Sequence, residues 1–171
     1  MGYPLGMDAP ATRRLRVEDL GIRDSLVQLS FLVQDVLARI AAAHDLPPQQ
    51  ARLLGILRDR EPGMARLAEL LGLDKSSTTG LVARAERRGL LGRRVVPEDR
   101  RAVRVVLTER GRELASTLTV EVDRELHRLV EGMAESNRAR LSLLASQVVH
   151  LYAHDHGVDL STEVDPPISG A

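Results

Sequence analysis

One stretch, residues 67–104, constrains the fold of this chain more than any other part. It reads LAELLGLDKSSTTGLVARAERRGLLGRRVVPEDRRAVR. Its pattern predicts a short helix, a tight turn, a second helix that stops at a glycine, and a small hairpin with an arginine-rich tip. A helix-turn-helix beside a basic hairpin suits duplex DNA, because the second helix fits the major groove while the hairpin reaches phosphates or the minor groove. The stretch therefore predicts a DNA-binding unit.

The distribution of charge supports this interpretation, although the formal net charge of the whole chain is +0. Residues 75–112 contain eleven basic and four acidic residues, and the remainder carries an equal surplus of acidic residues. A positive segment on an acidic body is typical of a phosphate-binding surface, the alternative being a solvated helix surface. All but one of these basic residues are arginine, which favours bidentate contacts with phosphate and guanine.

The composition favours packed helices. Hydrophobic residues make up 43% of the chain, yet only Tyr3, Phe31 and Tyr152 are aromatic, so the core must be aliphatic. The absence of cysteine excludes disulfides and thiolate metal sites. We find no apolar run that approaches membrane-spanning length and no charged-then-apolar leader, so we expect a cytoplasmic protein without a membrane partner.

Long amphipathic helices are predicted on both sides of the DNA-binding unit, giving a mainly α fold with a small β-hairpin wing. The first helix, at roughly 27 residues, would be about 40 Å long. That exceeds what one small core needs, so we expect part of its apolar face to meet a second subunit. The predicted helices span about 17–43, 49–59, 64–71, 74–88, 108–131 and 135–154, and the predicted strands span 91–96 and 102–107 with a loop at 97–101.

Five motifs along the chain resemble the MarR family of bacterial transcription regulators. They are a leucine-rich helix ending in Leu-Gly-Leu-Asp, a hydroxyl-rich recognition helix, a stop at Glu-x-Arg-Gly-Leu, a wing holding Asp-x-Arg or Asp-Arg-Arg, and a Leu-Thr-Glu-x-Gly start to the next helix. In this chain they are Leu71-Gly72-Leu73-Asp74, Ser76-Ser77-Thr78-Thr79, Glu86-Arg87-Arg88-Gly89-Leu90, Asp99-Arg100-Arg101 and Leu107-Thr108-Glu109-Arg110-Gly111.

The resemblance implies a winged helix-turn-helix protein with N- and C-terminal dimerisation helices. Residues 16–46 and 113–156 would form the dimerisation part and residues 47–112 the DNA-binding domain, between flexible tails at 1–15 and 157–171. Such homodimers bind pseudo-palindromic operators in double-stranded DNA, most often as repressors. Many release DNA when a small aromatic or anionic ligand binds.

The expected DNA-binding residues lie on the recognition helix and in the wing. The resemblance assigns to Asp99 the bracing of an arginine, and to Arg100 or Arg101 a minor-groove or phosphate contact. Gly80 stands where many relatives have arginine, Thr78 where an aliphatic residue is usual and Ala85 where leucine is common. The sequence therefore leaves the base-reading residues open. The expected set is Lys75, Ser76, Ser77, Thr79, Gly80, Arg84, Arg93, Arg94, Asp99, Arg100 and Arg101.

An effector site is expected near the first two helices, where several polar groups could recognise an anion. Two alternatives are a constitutive DNA-binding protein without an effector and a metal-responsive regulator. A metal-responsive regulator would bind its metal through the histidines clustered on the last helix. The competing interpretation of these histidines is that they are solvated or interface residues. No catalytic or nucleotide-binding motif is present, so we expect neither an enzyme nor a cofactor. The candidate effector residues are Arg16, Arg23, Gln34, His44 and Arg52, and the candidate metal ligands are His150, His154 and His156.

Overall fold

The structure, a computed structural model, describes residues 18–96 and 99–157, with the backbone alone for residues 96 and 99–102. Within these ranges it is mainly helical with a two-stranded antiparallel hairpin, which confirms the predicted fold class. The helices are α1 (Gly21–Ala43), α2 (Pro48–Leu57), α3 (Met64–Leu71), α4 (Lys75–Arg87), α5 (Glu109–Val130) and α6 (Glu135–Asp155), and the strands are β1 (Leu91–Val96) and β2 (Asp99–Leu107).

Two predicted boundaries were wrong. Helix α1 begins at Gly21 rather than near residue 17; the amide of Gly21 donates to Oδ1 of Asp19 at 2.8 Å, which satisfies a free amide at this end. Strand β2 begins at Asp99 rather than at residue 102, because the pairing register shifts after Val95 and Val96 then pairs with Asp99. The polar wing sequence suggested a loop, but backbone pairing at an exposed hairpin does not require apolar side chains.

Local signals for helix ends were interpreted correctly. Asp74 caps α4 by accepting a hydrogen bond from the Ser77 amide at 2.9 Å. Gly89 follows α4 with a φ of 69°, a left-handed conformation that glycine adopts without strain. Thr108 caps α5, and its hydroxyl oxygen accepts from the Gly111 amide at 3.0 Å. These caps fix where the recognition helix and the wing start and stop.

A continuous aliphatic core joins α2, α3, α4 and the hairpin to the C-terminal end of α1 and the first half of α5. As predicted, α4 buries a stripe of four residues, and its opposite face is left for contacts outside the protomer. Leu53, Leu67 and Val105 are among the fully buried side chains that fix α2, α3 and β2 around it. The buried stripe of α4 consists of Thr78, Leu81, Val82 and Ala85.

The start of α5 lies unusually close to the segment that follows α4. A Cβ atom placed on Gly111 would overlap the backbone carbonyl oxygen of Leu90 and lie 3.0 Å from its carbonyl carbon. The same carbonyl oxygen accepts a hydrogen bond from the Thr108 amide at 3.0 Å. Glycine at position 111 therefore permits α5 to dock against the DNA-binding unit.

Large apolar side chains are exposed along α1 and α6. Only Ala153 of α6 is buried, and α1 has a window of membrane-spanning length and hydropathy of which 11% is buried. The sequence was expected to lack such a window; it arises because Arg23 and Asp24 lie together at the start of α1, so that only Asp35 and Arg39 are charged in the rest of the helix. These faces are suited to packing against another protein surface or an apolar medium. On α6 the exposed apolar residues are Leu143, Leu144, Val148, Val149, Leu151 and Tyr152.

Candidate nucleic-acid interface

The face of α4 opposite the buried stripe presents the residues predicted to contact DNA. Lys75, Ser76, Ser77 and Thr79 are exposed in its first turns, Gly80 is half-buried, and Arg84 is exposed one turn further on. The core holds the other side of the helix, so this face can enter a groove without disturbing the packing.

The hydroxyl groups at the start of α4 are held by hydrogen bonds within the helix. Ser76 Oγ and Ser77 Oγ each donate to a carboxylate oxygen of Asp74 at 2.6 Å, and Thr79 Oγ1 donates to the carbonyl oxygen of Lys75 at 2.8 Å. The bonds from Ser76 and Ser77 hold the pKa of the Asp74 carboxyl well below its usual range. A carboxylate or carbonyl oxygen can only accept a hydrogen bond, so each of these hydroxyl groups has already used its one proton. It can still accept a hydrogen bond through its lone pairs.

Arg84 and Gly80 lie close together on this face. A Cβ atom placed on Gly80 would be 3.4 Å from Nη1 of Arg84. The guanidinium group of Arg84 therefore lies across the position where residue 80 would otherwise carry a side chain.

The two arginines of β1 are paired with carboxylates. Arg93 Nε lies 2.8 Å from Oε1 of Glu86, and this hydrogen bond raises the pKa of the guanidinium. Arg94 forms an ion pair with Glu61, which precedes α3. The sequence predicted both arginines as DNA-binding residues, and the structure places their charges beside acids.

The remaining predicted wing residues begin β2 at the hairpin tip. The side chains of Asp99, Arg100 and Arg101 lie outside the described part of the chain. Arg88, a member of the positive segment, faces inward and donates to the Asp45 carbonyl oxygen and to Oε1 of the buried Gln50, both at 3.0 Å. It ties the end of α4 to the loop between α1 and α2.

A cavity of about 1070 Å³ lies between α1, α2 and α5, beside the DNA-binding unit. Two predicted effector residues, Gln34 and Arg52, line it, and so do apolar side chains of all three helices, such as Ile56 and Leu118. Mostly apolar walls with a few polar groups are typical of small-molecule sites.

Sequence reasoning missed the charged side of this cavity. Arg58 donates to both carboxylate oxygens of Asp59, at 2.9 and 2.5 Å, and to Oγ1 of Thr119 at 2.9 Å, so it joins α2 to α5. The bond from Arg58 lowers the pKa of Asp59 and raises that of Arg58. The run of charges at the end of α2, with Arg60 also on the wall, was the signal that could have revealed it.

Two other predicted effector residues, Arg23 and His44, do not line this cavity. Arg23 is exposed and pairs with Asp24 at 2.8 Å. His44 lies near α5, where its Nε2 is 3.0 Å from Oε2 of Glu121. Arg16 lies outside the described residues.

The histidines near the end of α6 have local partners. His156 stacks on Tyr152 with ring centroids 4.0 Å apart, and its Nδ1 is 2.8 Å from the Tyr152 carbonyl oxygen. His154 Nδ1 faces Asp155 at 3.3 Å. In the part of the chain described by the structure, no group of three or more potential ligands could hold a metal ion.

Comparison with known proteins supports the same fold. The model of the MarR family matches residues 44–102. RV1404 from Mycobacterium tuberculosis is 30% identical, with 81% of this chain and 94% of that chain covered and a TM-score of 0.63. CouR from Rhodococcus jostii RHA1, solved with p-coumaroyl-CoA, is 25% identical. The match covers 72% of this chain and 88% of CouR, with a TM-score of 0.60. Apo MarR from E. coli is 21% identical, and the match covers 77% of this chain and 98% of MarR, with a TM-score of 0.65.

These similarities agree with the motifs and with the winged helix-turn-helix geometry. Members of this family are DNA-binding transcription regulators rather than enzymes. The chain belongs to the MarR family of winged helix-turn-helix transcription regulators.

Proposed function

We propose that this regulator is a cytoplasmic homodimeric repressor that binds a pseudo-palindromic operator and leaves it when a small ligand binds. The observation that carries the proposal is the division of exposed surface within one protomer. Arginine and hydroxyl side chains cover the free face of α4, whereas apolar side chains cover α1 and α6. One surface suits a charged duplex and the other suits a second subunit.

The dimerisation part would comprise residues 16–46 and 113–156, and the DNA-binding domain residues 47–112. Burial of the apolar faces of α1 and α6 between two copies would remove them from water and place two α4 helices on one side of the dimer. A two-fold dimer reads two half-sites about 34 to 36 Å apart, one helical turn of DNA. Selection from a pool of random duplexes tests this arrangement. We expect an inverted repeat to be enriched, and enrichment of unrelated, asymmetric sequences would contradict it.

The wing arginines are proposed to supply affinity rather than sequence preference. Arg100→Ala or Arg101→Ala should weaken binding to the selected duplex and to a scrambled duplex alike, and should reduce the salt slope by about one unit for each phosphate that the variant no longer binds. Fluorescence anisotropy at several salt concentrations measures both quantities. Ser77→Ala and Thr79→Ala are the matched variants, since they should change sequence preference and leave the salt slope unchanged. An unaltered slope in the arginine variants would refute binding of phosphate by the wing.

The effector is proposed to be a small aromatic or anionic compound that enters the cavity between α1, α2 and α5. Its size, its apolar walls and its arginines suit an aromatic ring bearing an acid group. The similarity to CouR, solved with p-coumaroyl-CoA, supports this class. We expect some hydroxylated aromatic acids, or their CoA thioesters, to release the selected duplex.

A prediction for the effector site compares two arginines on neighbouring helices. Arg52→Ala should raise the concentration needed for release about tenfold or more, because the variant cannot form a hydrogen bond to the charged effector. Arg23→Ala should have no effect, because Arg23 does not line the cavity and pairs with Asp24 instead. Release is measured by anisotropy of the labelled duplex. Tight DNA binding that no compound weakens would favour the constitutive alternative, and equal effects of the two variants would place the effector elsewhere.

A further inference from the structure

We propose that Arg84 is the side chain with which α4 recognises guanine, and that Gly80 provides the space in which it does so. The proposal rests on the DNA-binding function proposed above. Guanine presents two acceptors, O6 and N7, side by side in the major groove, and a guanidinium group bonds to both. Arginine and lysine can both donate to these acceptors, but the planar fork of a guanidinium group matches the pair, whereas the ammonium group of Lys75, the first residue of α4, is a point charge. The best match is therefore a forked donor on the outward face of α4.

The hydroxyl groups on that face offer no forked donor, because each has a single proton and in this structure directs it to an acceptor within the protein. Ser76 and Ser77 give their protons to the Asp74 carboxylate, and Thr79 gives its proton to a backbone carbonyl oxygen. A hydroxyl group has one proton, so these side chains offer only acceptors to DNA. Acceptors suit the amino groups of adenine and cytosine and cannot bond to O6 or N7 of guanine.

Arg84 has the required donors at its disposal. In residues 18–96 and 99–157, its guanidinium group has no ion pair or hydrogen bond. The acid two residues along the helix, Glu86, is already bound by Arg93 at 2.8 Å. The N–H groups of Arg84 are thus available to bind a base, whereas those of Arg93 would first have to break their hydrogen bonds to Glu86.

Gly80 leaves open the space in which the guanidinium group of Arg84 lies. Side chains of a helix lean toward its N-terminus and cover the preceding turn. Nη1 of Arg84 accordingly lies 3.4 Å from where a Cβ of residue 80 would be, so the charge sits one turn closer to the start of α4 than its own Cα. A long side chain at position 80 would fill this space. Glycine weakens a helix interior relative to alanine, and here it leaves room for the arginine.

Arg87 provides the comparison within the same helix. Both arginines are exposed and belong to the last turn of α4, but the guanidinium group of Arg84 reaches back beside Gly80, whereas Arg87 starts three residues nearer the C-terminal end. Recognition helices contact base edges with their N-terminal residues, and their far ends lie near the backbone. We therefore assign Arg87 to phosphate contact and Arg84 to base contact.

The test uses the full-length dimer and the duplex obtained by selection, with each guanine replaced in turn by 7-deazaguanine. This base pairs normally but lacks the N7 acceptor. One guanine per half-site should be sensitive, and its replacement should weaken wild-type binding about 5- to 150-fold. Arg84→Ala and Gly80→Leu should bind the natural duplex more weakly and become insensitive to that replacement. Arg87→Ala should keep the sensitivity, and circular dichroism should show all three variants folded.

Several results would overturn the proposal. A selected half-site without guanine, or an Arg84→Ala protein that remains fully sensitive to 7-deazaguanine, would exclude guanine recognition by Arg84. Uniformly weaker binding to all duplexes would make Arg84 a phosphate-binding residue, with the DNA-binding function intact. Retained sensitivity in Gly80→Leu would remove Gly80 from the account. Absence of any sequence-selective binding by the wild type would refute the proposed function itself, and this proposal with it.

Discussion

Substitution of Leu144 and Leu151 together by glutamate should convert the protein from dimer to monomer. Both side chains are exposed in the protomer, at 58% and 65%, and they lie seven residues apart on one side of α6. In the proposed dimer they are covered by the partner. Two carboxylates in an apolar interface cost several kcal/mol, so the dimer dissociation constant should rise by a factor on the order of 1000.

Sedimentation velocity over a range of protein concentrations measures this change. Ser146→Glu is the matched control, because it adds a carboxylate to the opposite side of the same helix. We expect this control to remain a dimer, with its DNA affinity unchanged. If the double variant sediments as a dimer at the same concentrations, the interface does not involve this face of α6.

Gly111→Ala should lower the free energy of unfolding by about 3 kcal/mol or more, since an overpacked methyl group forces backbone to move. The added methyl would overlap the carbonyl oxygen of Leu90, and neither α5 nor the segment after α4 can yield easily, because Thr108 bonds to the same carbonyl. Displacement of α5 would also shift the DNA-binding unit relative to the dimerisation helices. We therefore expect weaker DNA binding in addition to lower stability.

Urea denaturation at a fixed protein concentration tests the expected decrease in stability, since the stability of a dimer depends on concentration. Gly55→Ala is the control within α2, because a Cβ at position 55 would meet no atom within 4 Å. That change should stabilise the protein by up to about 1 kcal/mol through helix propensity. Equal unfolding midpoints for the two variants would show that α5 does not dock closely on Leu90.

Local features of this fold were predictable because nearby residues determine them. The caps at Asp74 and Thr108 each form between one side-chain oxygen and the backbone amide three residues later. Gly89 ends α4 because glycine can adopt a left-handed conformation without strain. The amphipathic pattern of α4 likewise indicated which four residues the core would bury. Sequence alone was therefore sufficient for these helix ends and for the buried stripe of α4.

Features that join distant segments were not predictable in the same way. Arg94 pairs with Glu61, 33 residues away, and Arg58 bonds to Thr119 across 61 residues. A count of charges treats Arg94 as free, and helical spacing cannot show that Arg58 and Thr119 meet in a cavity wall. The guanidinium group of Arg84 lies beside Gly80, where a long side chain would compete for the same space, but the sequence presented Gly80 only as an unfavourable residue in a helix.

The most direct test of the central claim is the stoichiometry of the complex with DNA. Sedimentation equilibrium of the full chain with the selected duplex should give two chains per duplex, with binding much weaker on a scrambled duplex of equal length. This is the result expected when two α4 helices occupy half-sites one helical turn apart. One chain per duplex, or equal affinity for the two duplexes, would contradict a dimeric, sequence-specific regulator.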